Sequence, residues 1–240
     1  MKAKHSIAVI IPMHNEEKVA ELCIEAVIRV LKKLSIFSQL IVVNDGSRDQ
    51  TPEILKKLQI KHKKNLIVLT HRKNRGYGGA SQTGISYALE KGFEWALHMD
   101  SDLTNDPKYI PYFTKFATMN VDCVKASRYI KGAQIFKVPL YRRAISTIGN
   151  YIASSLFHIG IKDCTNGFRM TRLNLLRGVK FQENNFSIIL EELYQLKKRG
   201  ARFAEIPYTI TARTDSLSHF MYKPKIFADY FKYVLKSIFV

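Results

Sequence analysis

The segment His5–Ile11 reads HSIAVII, a short run of apolar and mostly β-branched residues close to the N-terminus. Three similar runs follow within the first hundred residues: Leu40–Val43 (LIVV), Leu66–Leu69 (LIVL) and Trp95–Met99 (WALHM). Nearly continuous apolar runs of this length are typical of strands in a parallel sheet that helices cover on both faces. The four runs therefore predict strands of a parallel sheet in an α/β fold.

Helical patterns lie between these runs. An apolar stripe at three- and four-residue steps extends from Val19 to Leu34, after the candidate N-cap Asn15. Thr51-Pro52 and Asp106-Pro107 each have the form of a cap followed by proline at the first helical position. The alternation of strand and helix predicts a doubly wound, Rossmann-like α/β fold, with a mostly parallel central sheet and helices on both faces.

Length and composition favour one domain. The chain has 240 residues, 46% hydrophobic and 24% charged, which is enough for one substantial core and short for two. Helical patterns near 144–158 and 187–199 and an alternating strand near 202–210 continue the fold. We assign residues 1–220 to a single domain and 221–240 to a C-terminal amphipathic helix.

The net charge of +18 implies a polyanionic partner: nucleic acid, an anionic membrane surface or a phosphorylated substrate. No RNP-like, KH or helix-turn-helix signature accompanies the charge. A nucleic-acid-binding module would also leave the carboxylates described below unexplained, so no nucleic-acid partner is expected.

Cysteine usage and the N-terminus indicate a cytoplasmic setting. Cys23, Cys123 and Cys164 form no CxxC pair, which argues against a disulfide framework and a zinc site. The first residues contain no small-residue cleavage site, so we expect no signal peptide. The stretch Ala144–Ile161 has no charged residue, but it contains too many polar residues for a transmembrane span.

The C-terminal stretch Ile226–Val240 repeats apolar pairs at three- and four-residue steps, with lysines among them. This pattern predicts an amphipathic helix. It fits equally a helix that closes the core and a helix on an anionic membrane surface. The second placement would hold the protein peripherally at the cytosolic face of a membrane.

A polar cluster follows each of the four predicted strands. The clusters are Pro12–Glu16, Asn44–Asp49, Thr70–Gly79 and Asp100–Thr104. Ligands of open parallel sheets bind at the carboxyl ends of the strands. Because turns alone do not require carboxylates after two of the four strands, the pattern predicts an active site at this edge.

Asp100-Ser101-Asp102 presents two carboxylates at the end of the fourth strand. If the extended conformation continues there, both side chains point to one side. Carboxylate oxygens suit Mg²⁺ or Mn²⁺. Solvated turn carboxylates are the default interpretation of such a triplet, but its position at the ligand edge favours a metal site. Thr104 would add a hydroxyl or water-mediated contact, or else cap the next helix.

Two further motifs at this edge suit a nucleotide. Asp45 can accept hydrogen bonds from a ribose or a base, and Gly46 permits a tight turn. An Asx-type turn explains Gly46 and Ser47 but leaves Asp45 less well explained. Asn74–Ala80 (NRGYGGA) opens a helix, and its glycines would let backbone N–H groups approach a diphosphate; a plain loop is the alternative.

Taken in order, four motifs resemble those of the family 2 glycosyltransferases of GT-A fold: Ile11–Glu16, Val43–Ser47, Asn74–Gly78 and Asp100–Asp102. Four downstream motifs are similar to those of the dolichyl/polyprenyl-phosphate sugar synthase branch: Ser127–Tyr129, Asp163–Arg169, Glu205–Pro207 and Arg213–Ser218. No single motif is specific, but the ordered series is.

The resemblance implies inverting transfer of a sugar from a nucleotide-diphosphate sugar, such as GDP-mannose or a UDP-hexose, to a polyprenyl or dolichyl phosphate, with Mg²⁺ or Mn²⁺ as cofactor. The expected donor contacts are Pro12, Asn15, Glu16, Asp45, Asn74, Gly76 and Ser101. The expected metal ligands are Asp100, Asp102 and Thr104. The expected acceptor contacts are Arg128, Arg142, Arg143, Ser146, Arg213 and Ser218. The residues expected to carry catalysis are Asp100, Asp102, Arg128 and Arg213.

The chain departs from the family pattern at two motifs. Asn44 replaces the first aspartate of Asp-Asp-Gly-Ser, and Arg213–His219 lacks the glycine and the lysine of Arg-x-x-Gly-x-Ser-Lys. The second change leaves the acceptor open. A saccharide or other hydroxyl acceptor would need a general base, for which Glu191 and Glu192 are candidates. Both glutamates also fit a position on a helix surface or a role as partners of arginines. For the function of the whole protein, a nucleotidyltransferase is a remote alternative.

Six basic and no acidic residues lie between positions 125 and 143: Lys125, Arg128, Lys131, Lys137, Arg142 and Arg143. Beside a membrane, this run would place a phosphate-binding patch next to a surface for a lipid tail. A solvated basic loop before a core helix fits the same pattern. Asp163 is expected either to orient arginines in the site or to form a structural ion pair.

Overall fold

The computed structural model describes residues 5–136, 138–210 and 224–239. The strands in this part of the chain are β1 Ile7–Met13, β2 Ser38–Asn44, β3 Leu66–Thr70, β4 Trp95–His98, β5 Cys123–Ser127, β6 Gln134–Ile135, β7 Arg169–Arg172, β8 Phe203–Pro207 and β9 Thr209–Ile210. The α-helices are α1 Ala20–Leu31, α2 Thr51–Lys61, α3 Gly76–Glu90, α4 Ile110–Thr114, α5 Leu140–Phe157, α6 Ile188–Lys198 and α7 Pro224–Ile238.

Seven strands form the central sheet in the order β3-β2-β1-β4-β7-β5-β8. Neighbouring strands are parallel except at β7, which runs antiparallel to both β4 and β5. A separate parallel pair joins β6 to β9. The four strands predicted from apolar runs are neighbours in this sheet, and the prediction of a mostly parallel α/β sheet is confirmed.

Helices cover both faces of the sheet because both faces are apolar. Successive residues of a strand point to opposite sides, so Val9 packs in the core beneath α1, α2 and α4, while Ile10 packs beneath α3, α5, α6 and α7. A Cβ at Gly84 of α3 would lie 2.4 Å from Ile10 Cγ2. Glycine therefore lets α3 lie directly on β1, and overpacking by alanine would cost roughly 1–3 kcal/mol.

Two predicted helix caps are wrong, and both residues join loops instead. Helix α1 begins at Ala20, whereas the side-chain oxygen of Asn15 accepts a hydrogen bond from Arg48 N at 2.9 Å. Thr51 lies inside α2, and its hydroxyl accepts from Glu16 N at 2.8 Å. The polar residues after β1 therefore fasten that loop to the segment between β2 and α2.

The apolar pattern did not predict β5 and β7. Both strands carry buried polar side chains, Lys125 and Ser127 in β5 and Arg169 and Thr171 in β7. These residues interrupt the apolar run by which a buried strand is normally recognised. The antiparallel strand β7, which lies between β4 and β5, was not recognisable for this reason.

Helix α7 confirms the predicted C-terminal amphipathic helix. Its inner side belongs to the core, because Tyr233 and Val234 are only 2% and 4% exposed and pack against α5 and α6. Lys232 Nζ donates to Glu183 Oε1 at 2.9 Å. Deleting this helix would therefore expose part of the core, so on this side the helix closes the core. Within the described residues, no helix has the length and apolarity needed to cross a membrane.

Candidate active site

The loops after β1, β2 and β4 meet at one edge of the sheet and are hydrogen-bonded to each other. Asn15 N donates to Ser47 Oγ at 3.0 Å, which joins the first two loops. Ser101 Oγ donates to Glu16 Oε1 at 2.8 Å, which joins the loop after β4 to the loop after β1. The predicted clustering of polar residues at the carboxyl ends of the strands is therefore confirmed.

Asp45 is held by groups from three segments although it is only 3% exposed. Its Oδ1 atom lies 2.6 Å from His71 Nδ1 and accepts from Arg75 N at 2.9 Å. Its carbonyl oxygen accepts from His14 Nδ1 at 2.8 Å. The direction of the carboxylate is therefore set before any ligand binds.

The turn after β2 is made by Asn44. Its Oδ1 atom accepts from Ser47 N at 3.1 Å, so the Asx-type turn is present without help from Asp45. Gly46 has a φ of +68°, and a Cβ there would lie 2.6 Å from Asn74 N. Glycine is required both for the backbone conformation and for this close approach.

The glycine-rich start of α3 packs against another loop of the protein. Gly78 N donates to Asn184 O at 2.9 Å, and the Gly76 amide donates to the side chain of Asn74 at 2.7 Å. A Cβ on Gly76 or Gly78 would lie 2.3 Å from the carbonyl oxygens of Asn184 and Glu183, respectively. Both amides are therefore used within the protein, and contact between this segment and a diphosphate stays a prediction.

Asp100-Ser101-Asp102 does not continue β4. The strand ends at His98, the residues at 101 and 102 form a turn, and Leu103 has a φ of +60°. The expectation that an extended strand aligns the two carboxylates is wrong, and the turn positions them instead.

Thr104 orients Asp102. Its backbone N–H and its hydroxyl both donate to Asp102 Oδ1, at 2.9 and 2.7 Å. Thr104 does not cap the next helix, since Asp106 accepts from Lys108 N at 2.9 Å and caps the short 3₁₀-helix Pro107–Tyr109, as its sequence predicts. Direct contact between Thr104 and a metal stays a prediction.

Three carboxylates share one locality at this edge. Burial raises the pKa of the Cys23 thiol, and the nearby charges of Asp102, Glu16 and Asp100 raise it further. Among the described residues, no group of three or more His, Cys, Asp and Glu side chains is arranged to hold a metal. Asp100 and Asp102 supply carboxylate oxygens, which are the ligands that hard divalent cations prefer.

Arg128 is fixed by Asp163. Its Nε and Nη2 atoms donate to the two carboxylate oxygens at 2.7 and 2.8 Å, and its backbone N donates to Oδ2 at 3.0 Å. Burial favours the neutral Asp163 carboxyl, but the Arg128 guanidinium outweighs it and holds the pKa below its usual range. Asp163 therefore orients a predicted acceptor arginine, and it does so through a buried ion pair.

Ser146 belongs to the same network as Arg128. Arg128 Nη2 donates to Thr165 Oγ1 at 3.1 Å, and Asn150 Nδ2 donates to that hydroxyl at 2.8 Å. Asn150 Nδ2 also donates to Ser146 O at 2.9 Å, and Tyr129 Oη donates to Ser146 Oγ at 2.8 Å. The structure thus connects two predicted acceptor residues through α5 and the loop before β7.

The remaining predicted acceptor residues are Arg142, Arg143, Arg213 and Ser218. Arg142 and Arg143 lie in the first turns of α5, and Arg143 is exposed. Arg213 and Ser218 lie outside the described residues. Lys125 is fully buried, so its place in a phosphate-binding surface patch is wrong.

Both candidate bases for a hydroxyl acceptor are occupied inside the protein. Glu192 pairs with Arg169 Nη2 at 2.5 Å and accepts from Thr171 Oγ1 at 2.7 Å. Glu191 accepts from the backbone of Gln182 at 2.9 Å. Each glutamate is 1% exposed, so the helix-surface interpretation is wrong, and the arginine-partner interpretation is confirmed for Glu192.

Three residues of the site were not predicted: His71, Asn150 and Thr165. Each has a partner far away in the sequence, which a single sequence does not reveal. His71 lies within the polar cluster after β3, and that position was its one signal.

The sheet is Rossmann-like, and its ligand edge carries the turn Asp100–Asp102, which we call the carboxylate turn, and the hydrogen-bonded Asp45. This arrangement is consistent with the GT-A fold of glycosyltransferases. Residues 8–179 match the family described as Glycosyl transferase family 2. The chain belongs to this family and is a glycosyltransferase, as its motifs predict.

Two curated relatives carry names that specify a lipid phosphate. The chain is 28% identical over 239 residues to the dolichol-phosphate mannosyltransferase of Pyrococcus furiosus, which covers 96% of this chain and 63% of that protein. It is 25% identical over 208 residues to the polyprenol monophosphomannose synthase of Mycolicibacterium smegmatis, with 85% of this chain and 77% of the relative covered. The chain thus spans less than two thirds of the Pyrococcus relative.

Solved structures share the fold. Glucosyl-3-phosphoglycerate synthase of Mycobacterium tuberculosis, in complex with phosphoglyceric acid, superposes with a TM-score of 0.69 at 17% identity, covering 98% of this chain and 81% of that chain. A complex of the same protein with Mn²⁺, UDP and phosphoglyceric acid gives a TM-score of 0.67 at 17% identity, covering 98% and 77% of the two chains. At this identity the likeness shows the fold alone.

Proposed function

We propose that this protein transfers a sugar from a nucleotide-diphosphate sugar to a polyprenyl or dolichyl phosphate, with inversion at the anomeric carbon. The observation that carries the proposal is the Arg128–Asp163 pair, which fixes a guanidinium in one network with Ser146. A guanidinium suits phosphate oxygens through directed hydrogen bonds. The names of the two curated relatives support the same acceptor.

The donor lies at the edge formed by the loops after β1, β2 and β4. Asp45 accepts hydrogen bonds from the ribose or base, and Pro12, Asn15 and Glu16 flank the nucleoside. Asp100 and Asp102 would hold Mg²⁺ or Mn²⁺, and the bound cation would stabilise negative charge on the departing diphosphate. The Mn²⁺ and UDP complex of the structural neighbour supports this arrangement.

A phosphate acceptor also agrees with the state of the candidate bases. The oxygen of a lipid monophosphate is already anionic, so its attack requires no strong general base. Glu191 and Glu192 are buried and hydrogen-bonded away from solvent. A hydroxyl acceptor would need a carboxylate in the role that these two were expected to fill.

An exposed apolar surface on α5 and α7 supports a membrane location. The two helices pack together. Their exposed large apolar residues are Leu140, Tyr141, Ile145, Ile148, Tyr151 and Ile152 in α5, and Phe231, Leu235 and Ile238 in α7, followed by Phe239. Large exposed apolar side chains concentrated on two packed helices are typical of interaction surfaces. We infer that this surface rests on an anionic bilayer at its cytosolic face, beside Ser146.

The proposal is tested by incubating the protein with labelled UDP- and GDP-sugars and three acceptors: a short polyprenyl phosphate, the matching polyprenol and 3-phosphoglycerate. We expect label in the polyprenyl phosphate fraction with one nucleotide class. Label in the polyprenol or phosphoglycerate fraction, without label in the polyprenyl phosphate, would replace the proposed acceptor. Transfer of the nucleotide would indicate a nucleotidyltransferase.

A further inference from the structure

Three basic side chains lie in a row across the central sheet. His98 in β4 is the register partner of Arg169 in β7, and Lys125 in β5 is the partner of the same arginine. Register partners project from the same face, and all three residues are 0% exposed. The row lies beneath a segment that we call the bridging loop, residues Asp163–Gly167.

Two members of the row, Lys125 and Arg169, hold the bridging loop by its carbonyl groups. Lys125 Nζ donates to Cys164 O at 3.0 Å and to Asn166 O at 2.6 Å. Arg169 Nη1 donates to Gly167 O at 2.8 Å. Hydrogen bonds from charged donors are stronger than neutral ones, so this loop is anchored along most of its length.

The two ends of the bridging loop reach opposite parts of the site. Asp163 at its start forms the two-atom pair with Arg128. At its other end, a Cβ on Gly167 would lie 3.1 Å from Tyr77 Oη and 3.7 Å from Asp100 Oδ1. The loop therefore spans from the acceptor arginine to the carboxylate turn.

Packing alone does not account for a lysine at position 125. Its strand neighbours Cys123 and Val124 are buried in the two apolar cores, and an apolar side chain would fill the strand position without desolvating a charge. Burial lowers the pKa of the Lys125 ammonium to about 8, and the charge of Arg169 acts in the same direction. The side chain is therefore still an ammonium at neutral pH.

We propose that Lys125 is a positioning residue that sets the bridging loop, and with it the placement of Arg128 relative to Asp100. The roles of Arg128 and Asp100 rest on the proposed function, but the anchoring of the loop does not. Misplacement of reacting groups by about 1 Å can lower the rate ~100-fold. Lys125 therefore affects the turnover rate although it lies outside the site.

The experiment compares Lys125→Met, which keeps the length of the side chain without its donors, with Lys125→Gln, which restores a neutral donor. Cys123→Ala is the matched control, because Cys123 lies two residues away on the same buried strand face. Amide hydrogen exchange of residues 163–167, UDP and GDP affinity, and steady-state kinetics are measured for each protein.

We expect Lys125→Met to speed exchange in the bridging loop and to lower kcat by about 10- to 100-fold. Nucleotide affinity should change less than about twofold, because Asp45 has its own hydrogen bonds, and Lys125→Gln should recover part of both losses. Cys123→Ala should leave exchange and kinetics near wild type. If Lys125→Met does not fold, Lys125→Gln is compared with wild type instead, and it should show a smaller loss of loop protection and of kcat, because its amide is a shorter and neutral donor.

Unchanged loop exchange in a folded Lys125→Met protein would overturn the proposal. An equal effect of Cys123→Ala would also overturn it, since any disturbance of β5 would then suffice. The exchange measurement needs no substrate, so failure of the proposed acceptor leaves this result interpretable.

Discussion

His71 Nδ1 lies 2.6 Å from Asp45 Oδ1, and the opposite ring nitrogen lies 2.9 Å from Thr83 Oγ1 on α3. The imidazole therefore connects the loop after β2 to the helix that follows β3. Because Asp45 also accepts from Arg75 N, its carboxylate is oriented by two donors at once. A carboxylate held in this way loses little rotational freedom when a nucleotide binds.

Asp45→Ala should weaken the binding of UDP or GDP by about 10- to 100-fold, since a hydrogen bond to a charged group contributes roughly 1.5–3 kcal/mol. His71→Ala should produce a smaller loss in the same direction, because it frees the carboxylate. Calorimetric titration measures both. His62→Asn is the control: His62 is equally buried and lies 2.8 Å from Glu25 Oε1, away from the ligand edge. Unchanged affinity in Asp45→Ala would reduce Asp45 to a turn residue.

Asp100→Ala and Asp102→Ala should each leave the protein folded and lower turnover by several orders of magnitude, because a lost ligand removes metal-derived stabilisation of the leaving diphosphate. EDTA should abolish activity, and Mg²⁺ or Mn²⁺ should restore it. Asp106→Ala is the matched control, since this nearby carboxylate caps a 3₁₀-helix. Full activity in EDTA would rule out the metal assignment.

Arg128→Lys should raise the apparent KM for polyprenyl phosphate while donor affinity stays near wild type. Lysine has a single ammonium and does not reproduce the paired contacts of Nε and Nη2 with Asp163. Arg213→Ala, at a position outside the described residues, should have a more severe effect of the same kind. Steady-state kinetics with the acceptor concentration varied at saturating donor measure the apparent KM for polyprenyl phosphate in each variant.

Arg202→Lys controls for the loss of an arginine–carboxylate pair elsewhere. Arg202 Nε and Nη2 contact both oxygens of Asp122, at 2.8 and 3.2 Å, before β8 and β5 begin. The Arg202→Lys variant should leave the acceptor KM and the donor affinity unchanged. If Arg128→Lys instead weakens donor binding and leaves the acceptor KM untouched, Arg128 belongs to the diphosphate.

The exposed apolar surface of α5, α7 and Phe239 should respond differently to substitution from the buried side of α7. Phe239 and Tyr151 are 86% and 74% exposed, so replacing each by Ser should lower co-sedimentation with anionic liposomes and leave thermal stability unchanged. Tyr233→Ala should destabilise the fold by roughly 3–5 kcal/mol, because its ring is buried in the core. Wild-type liposome binding by the Phe239→Ser, Tyr151→Ser double variant would show that this surface does not face a membrane.

Lys125 should leave a signature in the pH dependence of stability. Its pKa falls from the usual 10.5 to about 8 in the folded protein, so the unfolded chain binds more protons between these values. The free energy of unfolding therefore gains up to about 3 kcal/mol from this group as pH rises through that window. Denaturant titrations of wild type and Lys125→Met from pH 7 to 10.5 measure the contribution of Lys125 to the free energy of unfolding. Parallel pH curves for the two proteins would contradict it.

Strands β1 to β4 and the ligand edge were predictable because apolar runs and the polar residues after them are local features. β5 and β7 were not, since Lys125 and Arg169 interrupt their apolar pattern and find partners only in the folded chain. The same limit applies to the site. Arg128 was recognisable from its motif, but its pairing with Asp163 depends on a contact across 35 positions.

The glycines of α3 show how one local pattern fits two structures. Closely spaced glycines after a strand indicate close backbone approach, and the sequence does not say what approaches. Here the backbone of Glu183 and Asn184 occupies that space.

The central claim is that the anomeric carbon becomes bonded to a phosphate oxygen of a lipid. Its most direct test is ¹H and ³¹P NMR of the lipid product formed from the accepted nucleotide sugar and a short polyprenyl phosphate. We predict a phosphodiester in which the anomeric proton couples to phosphorus, with inverted configuration and one nucleoside diphosphate released per sugar. A product without that coupling, or one carrying the nucleotide, would contradict the account.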